Sequence, residues 1–138
     1  MVNTKLILNH GMNHKGFKSW LEAYRATWET RDPHGAGELF TDDATYQETP
    51  FQEPIKGRSR IIEYWSDATQ SQEGIRFGYE ILAVTENIGI ARWWVSYARI
   101  PSKKLVRLNG IFVVALNEET RCTEFREWWH SEATPKLH

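Results

Sequence analysis

The apolar residues of this chain change their period once along its length. Phe17, Trp20, Leu21, Tyr24 and Trp28 fall at i, i+3, i+4, i+7 and i+11, which is one stripe of an amphipathic helix. From Ile75 onward the period is two, and turn signals fall at Glu86-Asn87-Gly89, Pro101 to Lys104 and Asn117 to Thr120. Helices first and consecutive strands afterwards predict an α+β domain with an antiparallel, strongly curved sheet.

The same reading places the remaining elements. Asn13 is a candidate cap for a helix starting near His14. Asp32-Pro33 starts a short helix, with a capping carboxylate followed by proline at the first helical position. Ala44 to Thr49 reads as a strand with Ala44, Tyr46 and Glu48 on one face, ended by Pro50 and Pro54. Gly57 precedes a further amphipathic helix over 58–68, carrying Ile61, Ile62, Tyr64 and Trp65. Strands are expected over 75–86, with Phe77, Tyr79, Ile81 and Ala83 on one face, then over 88–100 and 105–116. Asn109-Gly110 reads as a bulge in the last of these. Residues 1–12 read as a tail or arm, and all 138 residues as a single domain.

Bulk properties narrow the function classes. A formal net charge of −1 gives no electrostatic case for nucleic acid or a membrane surface. No apolar run approaches a membrane span, and the short one near the N-terminus is no signal sequence. One cysteine, Cys122, leaves no disulfide framework and suggests a reducing, cytoplasmic setting. Phosphate-binding glycine loops and the G-x-S-x-G elbow are absent. The five histidines are scattered without metal-ligand spacing, so neither a metal nor another cofactor is expected.

The most informative stretch is the last, Thr123 to His130. Alternation puts Phe125, Glu127 and Trp129 on one face and Glu124, Arg126, Trp128 and His130 on the other. Tryptophan on both faces predicts that both are covered. A carboxylate between two aromatics on a covered face is costly unless it is paired or used. Glu127 therefore either meets a cross-strand arginine or belongs to a site. Seven tryptophans suit a large core or an apolar cavity, and their number does not separate the two.

Several strings then carry a resemblance. Trp28-Glu-Thr-Arg-Asp-Pro33, Leu39-Phe-Thr-Asp-Asp-Ala-Thr-Tyr46, Pro50-Phe51, and Gly57 ahead of Ile61-Ile62-Glu-Tyr-Trp65 are followed by Gly110-Ile-Phe-Val113 and Phe125-Arg-Glu-Trp-Trp129. The chain resembles the nuclear transport factor 2-like superfamily, and within it the SnoaL-like group of small bacterial proteins. The resemblance implies a cone-shaped fold, three N-terminal helices set in a curved sheet, an apolar pocket open at one end, and a homodimer formed through the sheet.

Carried over residue by residue, the resemblance implies a site. In members similar to ketosteroid isomerase, a pocket tyrosine stands eight residues before the Asp closing the first helix, as Tyr24 does before Asp32. Their general base stands four past the alanine of a D-A-T strand, where this chain has Glu48. Their protonated Asp falls near Phe112, where there is no acid. In members similar to limonene epoxide hydrolase, the last strand reads W-R-D-Y-F, and Glu127 stands in the place of the acid that acts on water. The earlier R-x-D of those members is Arg92-Trp93-Trp94 here and lacks the Asp.

The expected catalytic set is thus Glu48, Glu127 and Tyr24. Trp20, Trp28, Tyr46, Trp65, Trp94, Phe112 and Trp129 are the candidate substrate-binding walls. The alternation leaves open which of Trp93 and Trp94 faces inward. Two carboxyls in one apolar pocket cannot both ionise cheaply, so one becomes an acid and the other a base. The expectation is a cofactor-free isomerase, cyclase or hydrolase acting on a small apolar molecule. The alternative is a non-catalytic small-ligand binding or dimeric interaction protein of the same fold.

Overall fold

The computed structural model describes residues 13–132, so the tail or arm read over 1–12 lies outside the described residues. In chain order the elements are α1 (His14–Glu29), α2 (Pro33–Gly37), β1 (Phe40–Gln47), β2 (Ile55–Lys56), α3 (Arg58–Gln70), β3 (Gln72–Thr85), β4 (Ile88–Arg99), β5 (Leu105–Leu116) and β6 (Cys122–Glu132). Both capping side chains act as their positions predict. The Asn13 amide oxygen accepts from Gly16 N at 2.8 Å, and the Asp32 carboxylate accepts from Gly35 N at 3.0 Å.

The strands form one six-stranded open sheet in the order β2-β1-β6-β5-β4-β3. Every neighbouring pair is antiparallel except β1 and β6, which run parallel. Curvature comes from irregularities in the ladder. In β3 the register with β4 shifts between Glu73 and Arg76, around Gly74 at φ 64°, and again between Ile81 and Ala83. The second shift turns Ala83 outward, against the expectation that it shares the face of Ile81. The bulge expected at Asn109-Gly110 is also corrected. Both residues pair in unbroken register with β4 and β6, and the shift on β5 lies between Ala115 and Leu116. Gly110 instead permits close approach: a Cβ there would collide with the Trp128 carbonyl and lie 2.8 Å from Trp129 Cβ.

α1 lays its stripe of Phe17, Trp20, Leu21, Tyr24 and Trp28 into the concave face, and all five are buried. Phe17 sits directly over Gly89 of β4, where a Cβ would come within 2.6 Å of the ring. Arg58 fixes the start of α3. Its guanidinium donates to the carbonyls of Gly37 and Phe40 and pairs with Asp42 at 2.6 Å, joining α2, β1 and α3. The interior is largely aromatic. Tyr24 packs against Trp20, Trp28, Trp65, Phe77, Phe112 and Phe125, with ring centroids 5.2–6.0 Å apart.

Both faces of β6 are expected to be covered; among the described residues only the concave face is, which corrects that expectation. Trp128 is 41% exposed and Trp94 is 38% exposed.

Candidate functional site

A cavity of about 330 Å³ opens between α1, α3 and the concave face of the sheet. The register that builds it is the parallel pairing of β1 and β6. Thr45, Tyr46 and Gln47 stand beside Glu124, Phe125 and Arg126. The Tyr46 and Phe125 rings stack at 4.5 Å on the inner face. Two residues further along each chain, on that same face, come Glu48 and Glu127. Both line the cavity, together with Tyr24, Trp28, Tyr46, Trp65 and Trp129.

Glu127 is 6% exposed. Its neighbour across the β5–β6 ladder is Phe112, and none of the ion pairs among the described residues includes it. The cross-strand arginine that would have made it structural is not there. Burial, and then the charge of Glu48, push its carboxyl well above the ordinary carboxylate range, and a hydrogen bond with the Tyr46 hydroxyl opposes them only in part. Glu48 lies just past the end of β1 and is half-buried, and burial raises its carboxyl as well. Its main-chain carbonyl accepts from Trp129 Nε1 at 2.9 Å, which ties the exit of β1 to β6.

Burial raises both Tyr24 and Tyr46 well above the ordinary phenol range, followed by the charge of Glu127. Both therefore stay neutral hydroxyls, and they hydrogen-bond to one another. Tyr64 on α3 also lines the cavity and is raised by the same two causes. The arrangement is a deep carboxyl and a shallower one, with three neutral phenols around them.

Three expected walls lie elsewhere. Trp20 is buried two turns before Trp28 on α1, where its indole donates to the Leu39 carbonyl at 3.1 Å, so it packs core away from the cavity. Phe112 is fully buried but contributes packing, stacked on Trp93 at 4.9 Å. Trp94 points to the convex face. It covers Gly78 on the neighbouring strand, where a Cβ would lie 2.6 Å from its ring, and Arg92 stacks over it at 4.7 Å. Trp93, buried to 1% exposure, lines the cavity in its place. His130 is exposed on the convex side, away from Glu127.

Sequence reasoning missed Tyr64, Gln72, Tyr97 and Arg99 among the lining residues. Gln72 had no visible signal: its side chain is spent on Trp28 Nε1 at 2.9 Å, and its carbonyl on Arg31 at 2.7 Å. Tyr97 was on the face of Trp93 and Val95 and could have been read from alternation. Among the described residues no three His, Cys, Asp or Glu side chains gather as a metal set, and no helix is long and apolar enough to cross a membrane.

A curved, unclosed six-stranded sheet around helices, with a cavity at its concave face, defines a nuclear transport factor 2-like α+β protein. The SnoaL-like domain model matches residues 21–125, so the chain belongs to the SnoaL-like domain family. Among solved structures, it is similar to the epoxide hydrolase/cyclase-like enzyme SalBIII, of pyran ring formation in the polyether salinomycin. That match has a TM-score of 0.75 and 18% identity over 85% of this chain and 95% of the other. It is also similar to a candidate isomerase from Bacillus subtilis, with a TM-score of 0.74 and 19% identity over 86% of this chain and 90% of the other. At these identities the likeness is one of fold. Comparison with curated proteins finds no significant sequence match.

Proposed function

We propose that this protein is an acid–base catalyst for a small, uncharged, largely apolar substrate, with Glu127 as the proton donor and Glu48 as the base. The observation that carries this reading is the pair itself. Glu127 is buried without a cationic partner, next to a second, shallower carboxyl. A purely structural carboxylate in such a place would be paired or replaced by an apolar residue. An acid held neutral beside a carboxylate left free to ionise is the division of labour of general acid–base catalysis.

Two reactions fit this pair. In the first, Glu48 removes a proton next to a carbonyl while Glu127, with Tyr46, donates to the oxygen that gains charge. In the second, Glu127 protonates an epoxide oxygen as its C–O bond breaks, and Glu48 takes the proton from the attacking water or hydroxyl. Attack by water is hydrolysis, and attack by a hydroxyl of the same molecule closes a ring. The similarity to SalBIII, described as epoxide hydrolase/cyclase-like, favours the second. The absence of an acid at Phe112 weakens the first, because the developing oxyanion keeps fewer donors.

The test uses a panel of small ketones, epoxides and epoxy alcohols. Proton exchange next to the carbonyl is followed in deuterated water, and epoxide opening by product analysis. Turnover of one class is expected, with Glu127→Gln and Glu48→Gln each slower by about 10²–10⁴ while still folded. Binding of these compounds with no turnover above that of the variants would instead assign a non-catalytic ligand-binding protein.

A further inference from the structure

Three phenols stand around the two carboxyls, and two of them are already engaged. Tyr24 and Tyr46 hydrogen-bond to one another, and Tyr46 also to Glu127. Tyr64 differs. Among the described residues its hydroxyl has no hydrogen-bond partner. It is also not one of the polar atoms that the packing seals off, which are Trp65 Nε1, Trp93 Nε1 and Arg126 Nε. A hydroxyl that is neither bonded nor sealed opens onto the space its residue lines, and for Tyr64 that space is the cavity of Glu127 and Glu48.

Its position follows from α3. Tyr64 and Ala68 stand one turn apart on that helix, with Ser71 just past its end, and all three line the cavity from the helix side. Ala68 carries only a methyl group, which leaves room beside the phenol. The ring itself rests on Tyr46, with centroids 5.2 Å apart. Burial, and then the charges of Glu127 and Glu48, keep the hydroxyl protonated, so it is a neutral donor that feels both carboxyls. An anionic oxygen in that space would be repelled by Glu48. Arg99, the one cation of the lining among the described residues, does not offset this. It is exposed, stacks over Tyr97 at 5.6 Å, and lowers neither carboxyl. The oxygen that Tyr64 meets is therefore an uncharged one.

We propose that Tyr64 is a third catalytic member of the site, and that its hydroxyl donates a hydrogen bond to the uncharged oxygen, of ketone, epoxide or ether type, on which Glu127 acts. This rests on the reading of the cavity as an acid–base site, and it adds the group that orients the substrate oxygen between the carboxyls. No proton leaves Tyr64. Glu127 supplies the proton, Glu48 takes one, and the phenol holds the oxygen while charge grows on it.

The probes are α-tetralone and tetralin, which differ by one carbonyl, titrated against the full chain of the wild type and of Tyr64→Phe. The variant keeps the ring on Tyr46 and removes only the hydroxyl. The wild type is expected to bind the ketone more tightly than the hydrocarbon. Tyr64→Phe should weaken ketone binding about fivefold, the effect of one net hydrogen bond, and leave tetralin unchanged. In wild-type protein labelled with carbon-13 at tyrosine Cζ, the ketone should shift the assigned Tyr64 resonance more than tetralin does, a readout that stands even if the variant does not fold. On any ketone or epoxide that the wild type turns over, Tyr64→Phe should lower kcat about 10²-fold, beyond any rise in KM, with the limbs of the pH profile in place. Ketone binding that Tyr64→Phe leaves unaltered, or a loss confined to KM, overturns the assignment and leaves the reading of the carboxyl pair intact. Absence of turnover with every compound overturns the acid–base reading, while the ketone preference still judges Tyr64 as a donor. Failure of both probes to bind, with no turnover, overturns both.

Discussion

At the scale of single residues, Glu127 decides how this chain is read. Its importance is legible from alternation alone, since Phe125 and Trp129 flank it on one face of a strand. What the sequence hides is the absence of a cation beside it, because that depends on β5 placing Phe112 across from it. The sign of its effect on stability follows from its raised carboxyl. As pH rises past the ordinary carboxylate range, near 4.5, the unfolded chain gives up this proton while the folded chain keeps it. Stability is therefore lost with rising pH until the folded carboxyl itself ionises, at up to about 1.4 kcal/mol per pH unit. Glu127→Gln does not titrate. Its melting temperature should exceed that of the wild type at pH 7–8, and the difference should shrink toward pH 4, as scans across that range would show. A difference independent of pH would mean that Glu127 ionises as an ordinary surface carboxylate does.

At the scale of elements, helix α1 and its stripe were readable because the helical period leaves one apolar face. The strands were harder. On β4, Trp93, Val95 and Tyr97 form a wholly apolar face while Trp94 shares its face with Arg92 and Ser96, so the inward side was visible in composition. Residue size obscured it, since both candidates are tryptophan. Trp94 is on the convex side because it covers Gly78, a use of an aromatic that periodicity does not reveal. Gly110 was misread for a related reason: a glycine in a strand signals either a bulge or a close approach, and here it is the approach of β6. The two glycines should differ on substitution. Gly110→Ala sets its methyl against the main chain of Trp128 and Trp129, which cannot swing aside, and should cost about 1–3 kcal/mol. Gly78→Ala meets only the exposed Trp94 ring, which can rotate outward, and should cost less. Denaturant midpoints for the two variants, at unchanged m, measure this contrast. Equal midpoints would show that β5 and β6 can separate at Gly110 without loss.

At the scale of the whole molecule, the sheet divides the chain's tryptophans by task. Those on the concave side build the core and the cavity, whereas Trp94 and Trp128 stand on a convex face that nothing among the described residues covers. Arg92 lies over Trp94 at 4.7 Å and Arg126 over Trp128 at 5.7 Å, so each ring keeps a guanidinium on one side. Half-exposed tryptophans on a broad sheet face are what a second copy would bury, in line with the homodimer that the family resemblance implies. The expected outcome is sedimentation at twice the chain mass. Trp94→Glu combined with Trp128→Glu should shift it to one chain mass, because the charges would be desolvated on both sides of a two-fold contact. The cavity lies on the opposite face, so the double variant should still bind any neutral ligand that the wild type binds. A wild type that sediments as one chain at all concentrations would leave the stacked arginines as the full covering of these rings. The concave site would then have to function, with both its carboxyls, inside a single chain.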